Sequence, residues 1–175
     1  MKIKQIHARE ILDSRGVPTI STEIELWSGD KGKGDVPSGA STGKTEVLEL
    51  RDGDEKRYNG KGVLTAVDNV NTKIANAIKD KDFTSQKEFD DFLIDLDGTD
   101  QKSNLGGNAI LSCSMAFCRA IANSLGLQLY EYFGMIYWDQ EYKPAQLRLP
   151  RPLILVMERG KHGDWSTDIQ EYMVA

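Results

Sequence analysis

The sequence predicts an α+β fold, and two changes of hydrophobic period predict it. Over residues 20–26 apolar and polar side chains alternate, with Ile20, Thr22, Ile24 and Leu26 on one side and Ser21, Glu23 and Glu25 on the other, the pattern of a half-buried strand. From Val63 onward the step lengthens to three and four, through Leu64, Val67, Val70, Ile74 and Ile78, which is one face of a helix. A continuous apolar run, Leu153-Ile154-Leu155-Val156-Met157, then starts a further unit behind Pro150-Arg151-Pro152 and is suited to a strand buried on both faces.

The first strand covers about residues 5–12, because the turn formers Asp13-Ser14-Arg15-Gly16-Val17-Pro18 stand between it and the alternating strand. Ser28-Gly29-Asp30 turns the chain again into a short third strand ending at Val36, so the amino terminus reads as an antiparallel meander. Ser85-Gln86-Lys87-Glu88 fits a capping box and announces a second helix with Phe89, Phe92, Leu93 and Leu96 as its stripe. A third helix runs from about Asn108 to Leu125 with Gly126 as its cap. It is apolar or small over most of its surface, as a central helix is. A short turn at residues 129–133 adds a fourth, and residues 134–148 read as a linker. The domain expectation is therefore 1–135, a linker at 136–149 and a second unit at 150–175.

Composition narrows the function classes. A hydrophobic fraction of 39% and a charged fraction of 28% describe a water-soluble globular chain. The net charge of −5, with no dense basic run, argues against a nucleic-acid partner. No apolar stretch approaches membrane-spanning length. Cys113 and Cys118 are five apart on one predicted helix and point to different sides, which makes them core thiols and the expected compartment the cytoplasm.

Two stretches carry chemistry. Val36-Pro37-Ser38-Gly39-Ala40-Ser41-Thr42-Gly43-Lys44-Thr45 combines hydroxyls, glycines and a lysine, so backbone and hydroxyl groups can approach an anion or a metal. The spacing is not that of a phosphate-binding Walker loop, since Ser38 stands where the first glycine belongs and Pro37 sits inside the loop. Taken alone, the loop reads equally as a ligand-free turn. The second stretch, residues 158–171, holds His162, Asp164, Asp168, Gln170 and Glu171 beyond the end of the apolar run. Loops leaving buried strands are where α/β folds place ligands, and a histidine and a glutamate there can bind an anion and move a proton. Solvated loop residues explain the same pattern. His7, inside a strand with no polar cluster, is read as structural.

Several segments, in order, carry a family likeness. Leu12-Asp13-Ser14-Arg15-Gly16-Val17-Pro18-Thr19, the loop at 36–43, Leu48-Glu49-Leu50-Arg51-Asp52-Gly53-Asp54, Gly60-Lys61-Gly62-Val63-Leu64, Asn69-Val70-Asn71 and Asn108-Ala109-Ile110-Leu111-Ser112 closely resemble the amino-terminal domain of enolases. His162 and Asp168-Ile169-Gln170-Glu171-Tyr172-Met173 fall where that family's first barrel motif lies. The resemblance implies a three-stranded meander packed on a helical bundle, followed by the first strands of an incomplete TIM-type barrel. It implies phosphopyruvate hydratase activity, the interconversion of 2-phosphoglycerate and phosphoenolpyruvate in glycolysis and gluconeogenesis, with two Mg²⁺ ions stabilising the enediolate. It implies that Ser41 ligates one Mg²⁺ as its loop closes, that His162 and Gln170 contact substrate, and that Glu171 binds the substrate hydroxyl and orients its departure. A homodimer is implied for the complete protein.

The chain departs from the family at Glu158-Arg159-Gly160, where Asn-Gly-Gly is usual, and at Leu155, where asparagine is usual. A complete (β/α)₈ barrel takes on the order of 250 residues. The family's proton-abstracting lysine, its proton-donating glutamate and the three carboxylates of the first metal site fall beyond Ala175, so these residues alone are expected to be inactive. An alternative from another class is a non-catalytic paralogue that keeps the fold for binding a partner. Exposure of the apolar run at 153–157 is expected to drive self-association.

Overall fold

The computed structural model describes residues 1–39, 43, 45–138, 148–158, 169 and 171–175. Strands β1 (Ile3–Leu12), β2 (Pro18–Leu26) and β3 (Lys31–Asp35) form a sheet in that order. All neighbours are antiparallel, with Ile6 opposite Ile24 and Ile24 opposite Gly32. The turn between β1 and β2 closes through Gly16 at φ +72°, a left-handed conformation that costs glycine nothing. The meander is thus as the alternation predicts.

The centre of the sheet is more deeply covered than alternation alone implies. Along β2 every residue except Glu23 is buried. Ile20 and Ile24 are fully buried, and Thr22 shares a 2.6 Å hydrogen bond with Ser112 of the central helix. On the opposite side Glu25 is buried as well, accepting from Lys4 and from Gln5 at 3.0 Å. Ion-paired neighbours on both flanking strands, Lys4 and Lys31, let a carboxylate sit there.

The helical layer comprises α1 (Leu64–Asn69), α2 (Ala75–Ile78), α3 (Gln86–Asp97), α4 (Gly107–Ser124) and α5 (Leu129–Trp138). The single helix read from residues 63–78 contains one π turn, Val70–Ile74, between α1 and α2. The π turn carries Asn71, whose amide brackets the edge of β1 by accepting from Ala8 N at 2.7 Å and donating to Ala8 O at 3.0 Å. The buried residues Val70, Ile74 and Ile78 keep four-residue steps through this turn, so the period does not reveal it. Ser85 caps α3 as predicted, its hydroxyl accepting from Glu88 N at 3.1 Å. Glu88 completes the box on Thr84 rather than on Ser85, accepting from Thr84 N at 2.7 Å. Helix α4 ends in a Schellman turn: Gly126 at φ +66° donates to Asn123 O, and Leu127 donates to Ala122 O. Phe83, Phe89 and Phe117 interlock behind the sheet, with Phe89 and Phe117 centroids 4.2 Å apart.

Cys113 and Cys118 are both buried and unbridged, and burial pushes their thiols up to about 12 and about 11. Both are inert core groups. His7 is exposed in β1 opposite Glu23. No single helix among the described residues is long and apolar enough to cross a membrane.

Two expectations change. Helix α5, expected as a short turn at 129–133, continues through Gly134 to Trp138; Gly134 is buried within it. The incomplete barrel is not shown. Strands β4 (Ile154–Glu158) and β5 (Glu171–Val174) pair with each other antiparallel. Every residue of both strands is exposed, Leu155 at 44% and Met157 at 51%, instead of buried on both faces. Among the described residues no second layer covers this strand pair, and so the run stays in contact with water.

The sheet and the central helix approach closely because β3 carries glycine at its two inward positions. A Cβ on Gly32 would lie 2.1 Å from Ala116 O, and one on Gly34 would lie 2.3 Å from Ser112 O. Both obstacles are α4 backbone and cannot rotate away. Gly32→Ala and Gly34→Ala are each expected to destabilise the fold by roughly 2–4 kcal/mol, measured by urea unfolding, against less than about 0.5 kcal/mol for an exposed-site control such as Lys33→Ala.

Candidate functional site

Residues 36–39 leave the sheet and residues 46–51 lie against the start of α4, both stretches held by hydrogen bonds. Val36 N donates to Ile20 O at 3.0 Å, and Thr19 Oγ1 donates to Val36 O at 2.6 Å. At Ser38 two arginines converge. Arg15 Nη2 donates to the Ser38 carbonyl at 2.7 Å, and Arg51 Nη2 donates to the Ser38 hydroxyl at 2.8 Å. Arg15 is itself held by Asp13, at 3.0 Å to Nη2 and 3.2 Å to Nε.

The far end of the segment lies on α4. Leu48 N donates to Gln101 O and Gly107 N to Leu48 O, both at 2.8 Å. Asn108 pairs with both backbone groups of Leu50, accepting from its N–H and donating to its carbonyl, each at 3.1 Å. The first residue of α4 must be small there, since a Cβ on Gly107 would come within 2.6 Å of Val47 Cγ2.

Below this segment a charged network joins the sheet to α1. Arg57 grips Glu10 of β1 through both terminal nitrogens, and Glu10 also accepts from Val63 N at 2.9 Å. The Arg57 guanidinium holds the Glu10 carboxyl below its ordinary range; burial opposes this, and the Val63 amide reinforces it. Asp52 accepts from the Leu64 and Thr65 amides at 2.9 and 2.8 Å, capping α1. Burial raises its carboxyl, but those two amides, the Thr65 hydroxyl and the Arg57 charge together outweigh it and the net shift is downward.

Between residues 36–39 and 46–49 and helices α3 and α4 lies a cleft of about 710 Å³. Val36, Pro37, Leu48, Ile94, Ile110 and Leu111 give it an apolar floor, and Glu46, Glu49, Asp90 and Lys102 charge its rim. Burial pushes the Asp90 carboxyl upward, against hydrogen bonds from Ser114 and Gln86.

Ser41, His162 and Gln170 lie outside the described residues, as does Arg159. Glu171 opens β5, exposed, directly opposite Glu158. The described structure brings that glutamate beside another carboxylate. Two like charges in register weaken a strand pair, so this pairing contributes little to the hairpin. Among the described residues no three His, Cys, Asp or Glu side chains come together to hold a metal ion. A serine hydroxyl is a single neutral ligand, so Ser41 would hold a Mg²⁺ ion only together with carboxylates.

The residues that reasoning from pattern passed over are Arg15, Arg51, Asn71 and Asn108. Each stands in a segment that carries the family likeness, yet each acts on backbone groups distant in sequence, which no local period records.

The geometry defines a class: an α+β domain in which a three-stranded meander backed by helices presents one long, heavily anchored loop where sheet meets central helix. Residues 3–133 match the family model described as "Enolase, N-terminal domain". Over all 175 residues the chain is 53% identical to Enolase 1 of Chlorobaculum tepidum, and it spans 39% of that protein's length. The chain belongs to the enolase family.

The Glu10–Arg57 pair gives a pH signature. Its folded-state carboxyl lies below the ordinary value of 4.5, so its stabilisation is complete above pH 4.5 and is lost as pH falls through the lowered folded value. Glu10→Gln is expected to destabilise by about 1.5–3 kcal/mol at pH 7 and to flatten the acid limb of stability below pH 4.5, followed by denaturation at stepped pH.

Proposed function

We propose that the protein carrying these residues is a phosphopyruvate hydratase, a Mg²⁺-dependent hydro-lyase of glycolysis and gluconeogenesis that interconverts 2-phosphoglycerate and phosphoenolpyruvate. The observation that carries this reading is 53% identity sustained along the whole chain to a protein named as an enolase. The anchoring of residues 36–51 supports it, because a loop that must present a hydroxyl to a charged site needs a fixed root.

In this reading residues 1–135 are the amino-terminal domain, 136–149 a connection and 150–175 the beginning of the barrel domain. The loop carries Ser41, whose hydroxyl would be one ligand of one of two Mg²⁺ ions, and those ions would supply positive charge against the negative charge that develops on the substrate carboxylate. His162 binds the phosphate side of the substrate, Gln170 gives a neighbouring polar contact, and Glu171 receives the substrate hydroxyl and orients its departure. Water exclusion by the loop strengthens these interactions. The complete protein is cytoplasmic and a homodimer. Residues 1–175 by themselves lack a base for the α-proton and do not turn over substrate.

The test joins residues 1–175 to the remainder of the Chlorobaculum tepidum protein and follows phosphoenolpyruvate formation from 2-phosphoglycerate with Mg²⁺. The hybrid is expected to be active, Ser41→Ala to lower kcat by about 100-fold, and residues 1–175 alone to show no turnover. A folded but inactive hybrid would contradict the assignment. Turnover by residues 1–175, freed of contaminating enolase, would contradict the division of labour.

A further inference from the structure

Arg51 spends all four of its terminal N–H groups on four separate places in the chain. Nη1 donates to Pro18 O and to Lys61 O, both at 2.6 Å, while Nη2 donates to Glu49 Oε1 at 2.6 Å and to Ser38 Oγ at 2.8 Å. The first two contacts join β2 to the approach of α1, which any scaffold arginine could do. The Ser38 contact is different. It reaches across to the root of the loop and meets a residue that Arg15 already holds by its carbonyl from the β1–β2 turn.

Ser38 is thus fixed by two guanidinium groups from two different segments, one on its backbone and one on its side chain. Pro37 before it has no N–H and a restricted φ, which removes further freedom from the same point. We propose that Arg51 and Arg15 are positioning residues that set where Ser38 sits, and hence where the chain enters the stretch bearing Ser41. The purpose of that placement rests on the phosphopyruvate hydratase reading; the placement itself does not. Lysine cannot substitute, because an ammonium group lacks the planar fork that reaches four acceptors at once.

Hydrogen exchange on the 175-residue chain tests the placement without any activity. Arg51→Lys and Ser38→Ala are each expected to speed amide exchange in a peptide spanning residues 37–48 by about tenfold, with peptides from α4 unchanged. Ser38→Ala leaves Arg51 its two backbone acceptors, and so it decides the matter if Arg51→Lys fails to fold. Unchanged exchange at 37–48 in Ser38→Ala, or equal acceleration throughout the chain, would overturn the proposal. In the active hybrid the two substitutions are expected to be non-additive, each lowering kcat about tenfold and the pair together hardly more. Fully additive losses would also overturn it. An inactive unsubstituted hybrid would count against the hydratase reading alone, and hydrogen exchange would still decide the role of Arg51.

Discussion

The distance between β3 and α4 is the constraint on which the rest of this structure depends. Two glycines in alternate positions of an edge strand let the sheet lie against helix backbone rather than against side chains. Thr22 and Ser112 can then meet directly, 2.6 Å apart, inside an apolar core. The same approach fixes where the chain leaves the sheet at Val36 and where α4 begins at Gly107. Residues 36–39 and 46–51 start from those two points, so the packing beneath sets where each of them lies.

Along that path the protein uses side-chain amides and guanidinium groups in place of secondary structure. Residues 46–54 form no strand or helix, yet Leu50 has both backbone groups satisfied by Asn108, and Leu48 has its own satisfied by Gln101 and Gly107. Asn71 does the same for Ala8, and Asn69 donates to Leu105 O at 2.9 Å. An irregular segment can lie against a core only when its polar backbone groups find such partners. The acidic and basic groups below it, Glu10, Asp52 and Arg57, extend the same arrangement to the start of α1.

The strands and most helices were legible in the sequence because their signals are local. Alternation marks β2, three- and four-residue steps mark residues 63–78, and Ser85 marks the start of α3. Gly32 and Gly34 were not legible as packing residues, since a glycine shows its purpose only through what comes near it. Gly134 reads as a break but is buried in the middle of α5, where close packing tolerates it. The clamps by Arg51 and Asn108 join residues 13 to 58 positions apart, and no period of two or 3.6 carries that information. Of the site itself, the loop and Glu171 were legible as polar, small or charged stretches; their roles came from family likeness rather than from pattern.

The central claim is that this scaffold holds the root of a loop whose hydroxyl completes a metal site, with His162 and Glu171 on the substrate beside it. A crystal structure of the active hybrid with 2-phosphoglycerate and Mg²⁺ measures it directly. The account predicts Ser41 Oγ at about 2.1 Å from one Mg²⁺, with His162 and Glu171 within about 3.2 Å of substrate oxygens and Ser38 still held by Arg15 and Arg51. Substrate and both metal ions bound in full with Ser41 remote from them would contradict it.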